Sequence, residues 1–300
     1  MSYSTKVVQR CFRRVGKVEY DEFDLHRIVA QSLCDRLSGI KKPSNPVVLD
    51  LASGPGTIVF PVFSSAFGPD SYWIFVDLVE EFLQYAHKKY SASIFTSWFR
   101  RQKVCFLVAD VRELPLASSS VDVMIANLIL PCIADRRAAF REWRRVLKPG
   151  GLFLFSCLGP STFLEIRWAF SFVDSYSHTE YFPDMHDVAD ELIQEGFQDV
   201  VVDVDIKQTA YSSFNSLCHD LKKAGVFYVR LDDKRHGLIS KKEWETVVSK
   251  YESLRHGKGL PLTWELIFGH AWGAITPPQH HGEERNVIKF FSKKTNLSRD

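Results

Sequence analysis

The first sustained pattern lies at residues 20–40, where Phe23, Ile28, Val29, Leu33 and Leu37 recur at helical spacing and predict an amphipathic helix. Pro43 and Pro46 stop it and lead into Val47-Val48-Leu49-Asp50, a run that predicts a strand. From there the two patterns alternate. Strands are predicted over 72–77, 104–109, 121–127 and 151–157, and helices over 79–90 and 135–147, with looser connections between them. The turn Lys148-Pro149-Gly150-Gly151 closes a helix and launches a strand. Near-continuous apolar strands separated by helices predict a mostly parallel sheet covered on both faces.

Beyond this alternation, residues 158–196 are rich in aromatics and predict a mostly helical cap. Residues 199–206 alternate strictly and predict a late strand. Amphipathic helices follow near 212–224 and 240–255, then a final strand at 262–272, which brings the sheet to seven strands. From Gly273 the chain is polar and carries Pro277-Pro278. The expected fold is α/β, a Rossmann-like sheet with a helical cap after its fifth strand. The expected division is a helical lid at 1–42, a main domain at 43–272 with cap segments at about 158–196 and 210–256, and a tail at 273–300.

Composition changes this picture little. At 300 residues, 45% hydrophobic and 25% charged, the chain can fill a sizeable core. A net charge of +2 gives no ground for nucleic-acid binding. The positive charge is uneven, however. Lys6, Arg10, Arg13, Arg14 and Lys17 precede the first acid, Glu19. A second cluster, Arg136, Arg137, Arg141, Arg144, Arg145 and Lys148, holds only Glu142 against it, and its helical spacing predicts a basic face for an acidic partner. The cysteines at 11, 34, 105, 132, 157 and 218 form no CxxC, so reduced, buried thiols are expected. His280-His281 stands in the polar tail and makes a poor metal site. No apolar run approaches the ~20 residues of a membrane span. The acid-poor N-terminus lacks the Ser/Ala-rich arginine helix of a mitochondrial transit peptide, and a cytoplasmic location is expected.

The candidate chemistry starts where the first strand ends in Asp50 and runs into Leu51-Ala52-Ser53-Gly54-Pro55-Gly56. Gly54 and Gly56 allow backbone to approach a ligand closely. Neither a G-x-G-x-x-G fingerprint nor the Lys-Ser/Thr of a phosphate-binding loop is present. The loop therefore suits a ligand without phosphate, whose positive amino-acid end Asp50 would neutralise. Asp77, followed by Leu78, ends the second strand 21 residues past Gly56, where a carboxylate accepts both hydroxyls of a ribose. Asp110 follows the third strand, placed for an adenine amino group with Val111 beside the ring, and Asn127 ends the fourth. An isolated aspartate at a strand end is usually a helix cap. Three in register after successive strands point instead to a ligand at the carboxyl edge of the sheet.

This set, with Ala109-Asp110-Val111-Arg112-Glu113-Leu114-Pro115-Leu116 and the run 144–151 (RRVLKPGG), resembles class I S-adenosylmethionine methyltransferases. The later segments 158–167 (LGPSTFLEIR), 173–178 (VDSYSH), 184–192 (DMHDVADEL), 220–225 (DLKKAG) and 260–272 (LPLTWELIFGHAW) resemble one family in particular. That family is the malonyl-acyl-carrier-protein O-methyltransferases of biotin synthesis, the BioC family, and the similarity runs from about residue 8 to 272. It implies S-adenosylmethionine as cofactor and the acyl carrier protein as partner, with the free carboxylate of its malonyl thioester as methyl acceptor. Such chemistry needs an activated methyl brought in line with an anionic oxygen, and a clamp that holds a carboxylate away from water.

Arg167 is the expected clamp, because a guanidinium grips a carboxylate at two points. A salt bridge to Glu165 or Asp174 is the plainer alternative. His178 and His186 lie in the two histidine-bearing cap segments, and Tyr20 and His26 are placed to close over the methionine end of the cofactor. Core packing serves Tyr20 equally well. Several positions depart from the family pattern. Ala52 replaces a glycine, and Pro131-Cys132 stands where Gln-Trp is usual. Glu19 falls where tyrosine would align, and Glu180 and Tyr228 where asparagine is expected. Two other functions remain open on the sequence: an arginine-hydroxylase-like assembly factor, and a diverged paralogue that binds without turnover.

Overall fold

The computed structural model describes residue 9 and residues 24–92, 103–223, 237–257 and 259–275. Its strands are β1 (Val47–Leu51), β2 (Tyr72–Asp77), β3 (Lys103–Val108), β4 (Val121–Asn127), β5 (Leu147–Leu158), β6 (Phe197–Tyr211) and β7 (Leu260–Gly273). The helices are α1 (Asp24–Asp35), α2 (Val59–Phe67), α3 (Glu80–Ala92), α4 (Arg136–Val146), α5 (Leu164–Phe170), α6 (Met185–Gln194), α7 (Phe214–Lys223) and α8 (Lys241–Glu252), with a 3-10 turn at Leu130–Cys132.

One sheet of seven strands has the order β3-β2-β1-β4-β5-β7-β6. The first five run parallel, and β7 lies antiparallel between β5 and β6. The chain builds outward from β1 to β3 and then returns to the other side of β1, so β1 and β4 mark the point where strand order reverses. Ligands of such sheets bind in the crevice beyond those carboxyl ends.

Successive strand residues face opposite sides. Val48, Phe75, Ile125 and Leu154 pack under Val29 and Leu33 of α1 and Phe60 and Phe63 of α2. Leu49, Val76, Met124 and Phe153 pack on the other side against Phe140 and Trp143 of α4 and Val188 and Leu192 of α6. Burial on both faces is the physical reason the strands read as unbroken apolar runs.

The structure departs from the sequence expectation in three places. The cap between β5 and β6 is less helical than predicted, holding only the short helices α5 and α6. The stretch between them is held by local contacts: His178 stacks on Phe170 with ring centroids 3.9 Å apart, and its Nε2 lies 2.8 Å from Asp174 Oδ1. Aromatic residues there serve packing, not helical periodicity. The last two strands are longer than predicted, because β6 and β7 pair from Phe197↔Gly273 to Tyr211↔Leu260 with a register shift between Gln198 and Val201.

The third departure concerns the arginines of α4, of which only Arg137 and Arg141 remain largely exposed. Arg136 grips Glu191 at 2.6 and 2.9 Å, and Arg137 and Arg141 share Glu195. Arg144 is buried and donates to the carbonyls of Gly196 and Ala274. Arg145 binds Glu142 and the carbonyls of Leu114 and Leu116. The cluster fastens α6 and the loop before β4 to the sheet.

Candidate active site

The loop after β1 owes its shape to left-handed backbone. Ala52, Gly54 and Gly56 have φ of 52°, 56° and 68°. At Gly56 a Cβ would meet the Tyr90 ring at 3.3 Å, while the Tyr90 hydroxyl donates to the Gly56 carbonyl at 2.5 Å. Asp77 gathers the loop from the neighbouring strand. Its Oδ2 accepts from Gly54 N at 2.9 Å and its Oδ1 from Val79 N at 2.8 Å. Burial pushes the Asp77 carboxyl up to about 6, against the pull of these backbone donors.

Asp50, at the end of the same buried strand, is fully enclosed, and neither of its oxygens has a hydrogen-bond partner. Burial, and then the neighbouring Asp77, raise its carboxyl well above the ordinary carboxylate range. The buried hydroxyl of Thr57 is also unpartnered. These three oxygens are the only fully buried side-chain polar atoms without a partner among the described residues, and all belong to the β1–α2 segment. Native interiors pair nearly all such groups, so a concentrated exception marks a place where water, an ion or a ligand completes the bonding. An ammonium group is a donor that would suit Asp50, and the residues of the loop are compatible with the amino-acid end of S-adenosylmethionine.

The remaining predicted cofactor contacts gather around this edge. Ser53 is buried, and its N–H donates to Val76 O at 3.0 Å. Leu78 is half-buried, and its carbonyl accepts from Gln9 Nε2 at 2.9 Å, which brings Gln9 to the end of β2. Val111 is buried with its carbonyl on Trp143 Nε1. Asp110 is engaged by Arg112, whose Nε and Nη2 reach Oδ1 and Oδ2 at 3.0 and 2.7 Å. Asn127 donates from Nδ2 to the carbonyl of His26 at 3.2 Å and accepts from Ser156 Oγ at 2.8 Å. That link joins α1 to the sheet. Burial pushes the His26 imidazole down to about 4, so it is neutral near pH 7.

The cap presents different chemistry. Arg167 donates from Nη1 to Thr162 O and from Nη2 to Pro160 O, both at 2.5 Å, and faces no carboxylate at ion-pair distance among the described residues. The salt bridge to Glu165 or Asp174 is not what the structure contains. Glu165 is buried and accepts from Thr263 N and Thr263 Oγ1. Arg167 thus braces the β5–α5 turn, where desolvation lowers its pKa against the longer-range pull of Glu165 and Glu265. His186 is exposed, and with its own N–H and Nδ1 it reaches Asp184, the N-cap of α6. Glu180 is buried and accepts from Tyr181 N. Pro131 and Cys132 lie half-buried in the 3-10 turn beyond β4. Tyr20, Glu19 and Tyr228 lie outside the described residues.

Sequence reasoning missed Thr57, Ser156 and Gln9. Thr57 carried a signal, a polar residue directly after the last loop glycine. Ser156 was visible only as one hydroxyl in an apolar strand, Gly151-Leu152-Phe153-Leu154-Phe155-Ser156. Gln9 carried none.

Comparison with known proteins shows the family to which the chain belongs. The methyltransferase domain family matches residues 49–155, the span from β1 through most of β5. A malonyl-acyl-carrier-protein O-methyltransferase of Nitrosospira multiformis is 33% identical over 274 residues, covering 88% of each chain. That of Gallionella capsiferriformans is 34% identical over 275 residues, covering 89% of this chain and 90% of its own. Among solved structures, the YcgJ protein of Bacillus subtilis superposes with a TM-score of 0.55 at 15% identity, over 81% of this chain and 98% of its own. A SAM-dependent methyltransferase of Thermotoga maritima does so with 0.50 at 16%, over 89% and 99%. At those identities the superpositions speak for the fold alone.

Proposed function

We propose that this chain, which belongs to the malonyl-acyl-carrier-protein O-methyltransferase family, uses S-adenosylmethionine to esterify the free carboxylate of a malonyl group carried by acyl carrier protein, as a step of biotin synthesis. The observation that carries the cofactor half is the unpartnered, fully buried Asp50 at the glycine loop. The acceptor half rests on the family and on the cap.

Asp50 would neutralise the ammonium of the methionine end, and Asp77 would accept the ribose hydroxyls on lone pairs left by its two backbone donors. Val111 would lie beside the adenine, with Asp110 turned to its amino group. When bound, the cofactor supplies a methyl group on a sulfonium, already activated toward an anionic oxygen. The acceptor is a carboxylate, so no residue has to remove a proton. The work left to the chain is alignment, exclusion of water and attraction of one negative charge. Arg167 suits the last task electrostatically. Both of its terminal nitrogens are already committed to carbonyls, so it would draw the carboxylate to the β5–α5 turn and not close on it as a free fork. His178, tied to Asp174 and stacked on Phe170, would hold the wall of that pocket.

The test is incubation with S-adenosylmethionine and malonyl-acyl-carrier protein, followed by mass spectrometry of the carrier. The expected result is one added methyl per carrier, removed again by mild esterase. An unmodified carrier, with S-adenosylhomocysteine binding intact, would overturn the acceptor assignment and favour a protein that binds without turnover.

A further inference from the structure

Asp50 is in register with Phe75, two positions before Asp77 on the adjacent parallel strand, so the two carboxyls leave the same face of the sheet as diagonal neighbours. On the other side Asp50 is in register with Ile125, two positions before Asn127. Among the described residues, the elements packed around this face bring no cation to it. Over the Asn127 end α1 lays His26, which burial keeps uncharged. α2 (VFPVFSSAF) has no titratable side chain, α3 opens with Glu80 and Glu81, and β4 contributes the neutral Asn127. From beyond β3, Asp110 is already paired with Arg112.

Two ionised carboxylates buried this close without a cation are strongly unfavourable, and one of the pair has to hold a proton. The hydrogen bonds decide which one. Each oxygen of Asp77 accepts a backbone N–H, which favours its ionised form, whereas Asp50 accepts nothing. We propose that Asp50 carries a proton in the cofactor-free protein and releases it to solvent when a ligand ammonium arrives, so that cofactor binding is coupled to the loss of one proton. The inference rests on the cofactor reading above. The balance is simple: the proton leaves an Asp50 oxygen for the buffer, the ammonium keeps its three protons, and one of them becomes the hydrogen bond Asp50 lacked. Acid then competes with the cofactor, and the site prefers ligands with a charged amino-acid end over the bare nucleoside.

Titration calorimetry near pH 7 in phosphate and in Tris, buffers of different ionisation enthalpy, measures the released proton directly. S-adenosylhomocysteine should release about one proton per molecule bound. 5′-Methylthioadenosine, which lacks the amino-acid end, should release none. Asp50→Asn should bind S-adenosylhomocysteine without release. On acidification the wild-type affinity should fall by up to about tenfold per pH unit. Buffer-independent binding of S-adenosylhomocysteine by the wild type would overturn the coupling while leaving the cofactor site intact. Equal release with both ligands, or unchanged release by Asp50→Asn, would overturn the assignment to Asp50. No binding of S-adenosylhomocysteine at all would overturn the cofactor reading itself. The two-ligand comparison on the wild type stands even if the variant does not fold.

Discussion

The carboxyl ends of β1 and β2 and the cap beside β5 both bury acids, and they treat them in opposite ways. At the first, Asp50 has no donor. At the second, Glu165 is saturated by Thr263, and Glu265 accepts from Ser161 N at 2.6 Å beside Gly159, where a Cβ would collide with its carboxyl. A buried polar group with all its partners is scaffold, and one without them awaits a ligand. On the proposed reading, the half of the molecule that would bind the cofactor is incomplete without it, while the half assigned to the acceptor is a finished structure that offers mainly an electrostatic environment around Arg167.

The largest effect should come from breaking the finished half. Glu165→Ala leaves the buried N–H and hydroxyl of Thr263 without an acceptor, at about 1–3 kcal/mol each, so urea denaturation should show a loss of about 4 kcal/mol. Affinity of the folded fraction for S-adenosylhomocysteine should not change. A marked loss of that affinity would mean the two regions are coupled, and the contrast drawn between them would fail.

Next comes a pH effect at the incomplete half. His26 is half-buried, and desolvation holds its folded value near 4 against about 6.5 in the unfolded chain. The unfolded state therefore binds the extra proton, and stability is lost as pH falls from about 6.5 to 4. His26→Gln removes this dependence. Measured against the wild type, the variant should gain up to about 3 kcal/mol between pH 7 and pH 4. A constant difference across that range would show that His26 is solvated. Asp77→Ala should weaken cofactor binding roughly ten- to hundredfold, the loss of charge-assisted hydrogen bonds worth about 1.5–3 kcal/mol. Calorimetry with unchanged affinity would remove Asp77 from the ribose site.

These two regions were also unequally legible in the sequence. Asp50, Asp77 and Asp110 stand at the ends of apolar runs, where strand periodicity alone places them on one edge of the sheet. Ser156 was not legible as a site residue, because a partner 29 residues away, Asn127, leaves no local pattern, and Thr57 showed its place after the last loop glycine but not its burial. The α4 arginines misled for the same reason. Glu191 and Glu195, which pair with Arg136, Arg137 and Arg141, lie more than fifty residues further on. The cap misled because aromatic content mimics a helical stripe, whereas contacts such as Phe170 on His178 are irregular packing. Spacing reports what a residue's own strand or helix does with it, and long-range pairing decides whether its charge is spent.

The smallest expected effect concerns the residue that departs from the family pattern within the loop. Ala52 holds φ of 52°, a conformation in which a Cβ crowds the following carbonyl and which costs an L-residue about 1–2 kcal/mol. Glycine removes that crowding but gives the unfolded chain more freedom to lose, which offsets up to about 1 kcal/mol of the gain. Ala52→Gly should therefore raise stability by about 1 kcal/mol or less, and cofactor affinity should stay equal or improve, because the backbone keeps its shape while the methyl group leaves. Denaturation and calorimetry on the same preparation check both halves. A glycine variant that is equally stable but binds distinctly more weakly would show that alanine contributes by keeping the loop in its binding shape, and the incomplete half of the molecule would then be better prepared for its ligand than the unpartnered Asp50 alone suggests.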